Sequence, residues 1–245
     1  MTYVLKNGHV PTMVNVFVHR KDTYILSLLV QIFIEFLSDN SVKDLFLEQC
    51  DIVFAKNLLK HIAHPDPKLK ANVLDALRYI LENPMNHRFI ARVDIKNMIN
   101  VLKINSDFPQ IIYLTLQNLG HLTSRDEFLS AFLAERLEQV LIEVISKRFD
   151  HTVNLEALNI LGQLINSVYG ADTAQSLYKM ENNFAIETLS GLCIPPTNDN
   201  VINLFVKLIL IGMCWTVLGN LEGIGGSARD HECEGLSHVK PYSDV

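Results

Sequence analysis

A chain of 245 residues with 49% apolar residues, 20% charged residues, 11 glycines and 8 prolines has the composition of a globular protein rich in regular structure. Its formal net charge of −6 argues against sequence-independent nucleic-acid binding, which needs a basic face to displace counterions from phosphate. Cys50, Cys193, Cys214 and Cys233 lie far apart without paired spacing, which argues against a disulfide framework or a zinc ribbon.

The first informative stretch is "VLKNGHVPTMVNVF", from Val4 to Phe17. Gly8 can adopt the left-handed backbone that closes a helix, and Pro11 is tolerated only in the first turn of the next. One short helix is therefore expected to end at Gly8 and another to begin just after it. "HRKDTYILSLLVQIF" then supplies a long helix.

From Val73 the pattern repeats. When the two stretches are superimposed, Ile34 meets Leu77, Leu37 meets Ile80, Phe46 meets Phe89, Ile52 meets Ile95 and Leu59 meets Leu102. A third copy carries Leu116, Leu119 and Phe128 in the same roles, and a fourth carries Leu158 and Leu161. "NVINLFVKLILIGMCWTVL" opens a fifth. The period, about forty residues, is that of helical solenoids.

Within each copy apolar residues recur at three- and four-residue intervals, as in Leu74, Leu77, Ile80 and Leu81, so they share one helix face. Each unit reads as a long, a short and a medium helix. The separators "SDNS", "ENPMN", "TSRDE" and "PPTNDN" supply stops and caps, among them Asp39 or Asn40, Asn83 with Pro84, Ser124, and Pro195 with Pro196.

The apolar stretch from Val201 is split by Lys207, and its clean part, Leu208 to Leu218, is too short to span a bilayer. No secretory signal is expected at the N-terminus. The cytoplasm is the expected location, with the nucleus as a second compartment. From Gly219 periodicity gives way to Gly, Ser, His and charge, so residues 1–218 are expected to form the repeat domain and residues 219–245 a disordered tail. That ending lacks the polar capping helix a solenoid needs, which suggests a piece or an isoform of a longer protein.

Repeats of this length are armadillo or HEAT units. The glycine-apolar-proline sequence of Gly8, Val10 and Pro11 resembles the armadillo motif, and the resemblance spans Val4 to Leu218. Later units carry Cys50, Val93 and Glu135 in place of Gly8, which leaves both a divergent armadillo and a mixed armadillo/HEAT assignment open. The expected fold is all-α, a right-handed superhelical solenoid of four to five three-helix repeats.

This resemblance implies a protein-binding adaptor or scaffold that holds a partner along a concave face lined by the long helices. Peptide-binding armadillo proteins such as importin-α grip the ligand backbone through an asparagine in each long helix, with a tryptophan four residues before it. The matching pairs here are Ile32 and Phe36, Asp75 and Tyr79, Leu114 and Asn118, and Glu156 and Ile160. Only Asn118 matches, which weakens the nuclear-import alternative.

The same eight residues are the expected partner-binding groove. They suit an extended peptide or a helix bearing apolar and basic residues, with no direct nucleic acid and no membrane span.

No catalytic constellation, cofactor motif or metal set is expected. His231, Cys233 and His238 lack a fourth ligand and a zinc spacing, and "GNLEGIGGS" lacks the Lys-Ser/Thr of a phosphate loop. No nucleophile elbow places a serine with a histidine, so an enzyme is not expected. Asn15, Asn57 and Asn100 recur at one position and read as solvated.

Overall fold

The computed structural model describes residues 7–50, 52–105, 107–192 and 206. The expected fifth long helix from Val201 and the tail from Gly219 fall outside them, Val206 apart, as do His231, Cys233 and His238. The described residues form twelve α-helices and two 3-10 turns, with no strand among them.

The first unit holds α1 (Val10–His19) and the long α2 (Thr23–Ser38). The second holds α3 (Lys43–Gln49), α4 (Ile52–His61) and the long α5 (Pro67–Leu81). In the third, a 3-10 turn (Pro84–Phe89) precedes α6 (Arg92–Ile104) and the long α7 (Pro109–Leu122). The fourth comprises α8 (Asp126–Ala134), α9 (Leu137–Ser146) and the long α10 (His151–Asn166). After it come α11 (Gly170–Tyr178), a second 3-10 turn (Glu181–Asn183) and α12 (Phe184–Ser190).

Local chemistry sets these boundaries. Gly8 sits at φ +69°, and Pro11 occupies the first turn of α1, as the opening stretch predicts. At the fourth unit's equivalent junction Arg136, at φ 56°, takes the left-handed conformation, one residue after Glu135.

Three long helices begin with an aspartate whose side chain accepts a backbone N–H. Asp22 accepts from Ile25 at 2.9 Å, Asp66 from Leu69 at 2.7 Å and Asp150 from Val153 at 3.0 Å. Each such cap stabilises its helix by about 1 kcal/mol. The fourth long helix, α7, begins instead with Pro109, whose missing N–H needs no partner there.

The long helices α2, α5, α7 and α10 pack side by side in chain order, and α4, α6 and α9 pack behind the long helix of their own unit. Aromatic packing joins the first two units: Phe33 meets Phe17 at 5.7 Å and Phe54 at 4.9 Å, both edge-on, and Phe36 stacks on Phe46 at 5.2 Å. Two hydrogen bonds tie polar groups inside the stack. Lys70 Nζ donates to Asn105 Oδ1 at 2.8 Å, and the buried His87 donates from Nε2 to the Leu81 carbonyl at 2.8 Å.

Gly170 opens α11 against the end of α10, where a Cβ would lie 2.1 Å from the Ile165 carbonyl oxygen. Only a glycine fits without moving backbone. Gly170→Ala is expected to cost about 2 kcal/mol, and hydrogen exchange should accelerate first in α11 and α12. Unchanged protection there would show that the turn tolerates the methyl group.

Candidate functional site

Superposing the long helices on their buried residues Leu37, Ile80, Leu119 and Leu161 aligns three sets on the face turned away from the shorter helices. One set is Leu28, Ala71, Gln110 and Thr152. The second is Ile32, Asp75, Leu114 and Glu156, and the third is Glu35, Arg78, Gln117 and Asn159. Except for Leu114, all are exposed or half-exposed.

The next position along each helix, about 100° round, points sideways into the stack. Phe36, Asn118 and Ile160 are buried there, and Tyr79 is half-buried. Asn118, 0% exposed, donates from Nδ2 to the Leu74 carbonyl at 2.8 Å and to the Leu114 carbonyl at 2.7 Å, which staples α7 to α5. Both donor hydrogens of its amide are spent on the solenoid, while Oδ1 is buried without a partner among the described residues.

Of the eight groove residues expected from the sequence, Ile32, Asp75, Tyr79 and Glu156 reach the surface. Phe36, Leu114, Asn118 and Ile160 do not, because each is buried in the stack. Among the recurrent asparagines, Asn57 is buried and donates to the Val53 carbonyl at 2.7 Å, whereas Asn15 is exposed. Exposed residues that the sequence reading missed are Tyr24, Leu28, Glu35 and Asn159. The spacing of Tyr24, Leu28 and Ile32 is a signal that could have found the first two, since it repeats every four residues outside the core stripe.

The charges on this face fall into two groups. At its centre the Arg78 guanidinium holds Asp75 Oδ1 through Nη2 at 2.8 Å and Nε at 3.1 Å, and lies 4.0 Å above the Tyr79 ring. Glu82 pairs with Lys43 at 2.6 Å and with Arg78 at 3.5 Å. Burial works against the Arg78 charge, but Asp75 and Tyr79 hold its pKa above the ordinary value. This network is self-neutralising.

At the two ends, Glu35 and Glu156 have no cation partner among the described residues. Glu156 is half-buried, with Oε1 3.0 Å from where a Cβ on Gly120 would stand, and burial pushes its pKa up. An approaching cation meets unpaired carboxylates there.

A second concavity, about 1100 Å³, lies between α9, α11 and α12 and is lined by Arg136, Gln139, Asp172, Ser176, Lys179 and Glu187 among others. Glu138, 1% exposed, adjoins it: Ser176 Oγ donates to Glu138 Oε1 at 2.5 Å and accepts from Gln139 Nε2 at 2.9 Å. Glu138 Oε2 is buried without a hydrogen-bond partner among the described residues. Burial raises the Glu138 pKa, opposed by Ser176.

Burial likewise pushes the Cys50 thiol up to about 12, so at neutral pH it is protonated and a poor nucleophile. Among the described residues no three His, Cys, Asp or Glu side chains gather as a metal site, and no helix is long and apolar enough to cross a membrane.

No family profile matches the chain, and no curated protein matches its sequence. Solved structures do match its shape. A designed armadillo repeat protein superimposes with a TM-score of 0.63 at 14% identity, over 82% of this chain and 81% of that one. Another designed armadillo repeat protein, solved in complex with the peptide (KR)4, gives 0.64 at 14% identity, over 86% and 84%. An engineered protein gives 0.64 at 15% identity over 85% of this chain, which spans only 48% of that protein's length. The fold is an armadillo-like helical repeat solenoid.

Because the folded chain binds the Glu138 proton more tightly, this residue favours folding most below the ordinary glutamate value of 4.5, and that contribution is lost as pH rises through its higher folded value. Glu138→Gln should therefore be more stable than the parent at pH 8, by about 1–2 kcal/mol, with the gap closing toward pH 4. Urea melts across that range test it; a variant less stable at pH 8 would mean the carboxylate is needed ionised.

Proposed function

We propose that this chain is a non-enzymatic adaptor or scaffold that holds a segment of another protein along the open face of its long helices. Ile32, Asp75, Tyr79 and Glu156 belong to that surface, together with Leu28, Glu35 and Asn159. The observation that carries the reading is the pairing of exposed apolar side chains on α2 with the uncompensated carboxylates Glu35 and Glu156. Such a face suits a partner with apolar anchors and basic residues.

The (KR)4 peptide held by one of the designed armadillo proteins supports a basic ligand. Cys50, a free thiol, suits a reducing compartment, and we place the protein in the cytoplasm with the nucleus as a second location. The net charge of −6 speaks against direct nucleic-acid binding.

Fluorescence anisotropy with a labelled (Lys-Arg)4 peptide tests the reading. Binding should weaken as salt is raised, and Glu35→Lys with Glu156→Lys should lower affinity by about tenfold or more, equivalent to about 1.4 kcal/mol. Affinity indifferent to both substitutions would move the binding surface elsewhere.

A further inference from the structure

We infer that the partner segment docks as an amphipathic α-helix, seated on the first two long helices. This rests on the reading of the open face as a protein-binding surface and specifies what that surface takes.

Tyr24, Leu28 and Ile32 form an apolar stripe on the exterior. They are 72%, 42% and 42% exposed, stand four residues apart, and therefore share one side of α2. The stripe runs for about 12 Å along the helix. Beside it, on α5, the aligned position is Ala71, a side chain too small to stand up as a wall. Asn72 Nδ2 donates to Ser27 Oγ at 3.1 Å, which holds the two helices together beneath this trough. Ala71 also lines a hollow of about 540 Å³ that continues to the half-exposed ring of Phe108 before α7. Apolar surface thus extends from α2 toward the N-terminal end of α7, with Lys68, Asp107 and Gln110 lining the same hollow.

The C-terminal end of the same stripe is negative. Glu35 follows Ile32 by one turn and has no cation among the described residues. Asp39 beyond it is kept ionised by the Ser41 side chain and backbone, which lower its pKa. The complement is a segment with one apolar side and a basic edge.

Backbone chemistry favours a helix over an extended strand. An extended peptide arrives with unpaired N–H and C=O groups and needs side-chain amides to receive them. The central positions Ile32, Asp75, Leu114 and Glu156 include no amide, and Asn118 is committed to the Leu74 and Leu114 carbonyls. The outward amides Gln110, Gln117 and Asn159 lie on α7 and α10, beyond the two helices that carry the stripe and the trough. A helix satisfies its own backbone and brings only side chains to the surface.

The experiment uses the full chain and three labelled probes: an 18-residue Leu/Lys peptide with leucines at helical spacing, an isomer of identical composition with strictly alternating Leu and Lys, and (Lys-Arg)4. The helical isomer should bind about tenfold more tightly than the alternating one. Leu28→Asp with Ile32→Asp should abolish most of that advantage, as should Tyr24→Asp, whose 72% exposure makes it safe for folding. Far-ultraviolet circular dichroism should match the parent for each variant.

Tighter binding of the alternating isomer or of (Lys-Arg)4, or helical binding indifferent to these three positions, would overturn the helix assignment. The scaffold reading survives that result if (Lys-Arg)4 binding still depends on Glu35 and Glu156. Failure of all three probes to bind would remove both.

Discussion

The structure depends on the lateral packing of one long helix against the next. A single armadillo-like unit has two sides to its long helix that no residue within the unit can cover. Phe36, Asn118 and Ile160 turn into those sides and bury them against a neighbour. Gly120 shows how closely the helices approach, since a Cβ there would stand 3.0 Å from Glu156 Oε1 and 3.7 Å from Ile160. Stability in such a stack is a sum over adjacent contacts, so what each interface buries governs how well the whole layer is held.

Polar groups within these interfaces act as staples. Asn118 and the Lys70–Asn105 pair convert buried donors and acceptors into ties between consecutive helices. Each would be costly unpaired. Satisfaction is incomplete: Glu138 binds Ser176 through one oxygen, while its other oxygen, Asn118 Oδ1 and His87 Nδ1 are buried without a hydrogen-bond partner among the described residues. The same demand explains why Asn118, at a groove position expected from the sequence, has no donor hydrogen left to offer: both are already spent inside the solenoid.

With the sides of the long helices consumed by stacking, only their outward face is free to vary. Its composition changes along the solenoid, from apolar on α2, through a self-compensated ion network on α5, to amides and an unpaired carboxylate on α7 and α10. Arg78 is decisive at the centre, because by holding Asp75 and Glu82 it removes two carboxylates from competition for a partner. The negative character left uncompensated on this face among the described residues sits at the ends, at Glu35 and Glu156.

Repeat order and helix register were legible in the sequence. The recurrence of Leu37, Ile80, Leu119 and Leu161 reports which side of each helix is buried, and Gly8 with Pro11 reports a junction that backbone sterics nearly dictate. The groove was legible only in part. Ile32, Asp75 and Glu156 follow from periodicity, yet Phe36, Asn118 and Ile160, each a single residue past the outward Glu35, Gln117 and Asn159, face inward.

Sequence by itself determined the all-helical repeat, because apolar spacing and helix punctuation are local properties of the chain. Only tertiary structure decided which polar side chains remain available. One step along a helix rotates a residue by about 100°, and whether that carries it into solvent or into a neighbouring helix depends on how close the neighbour stands.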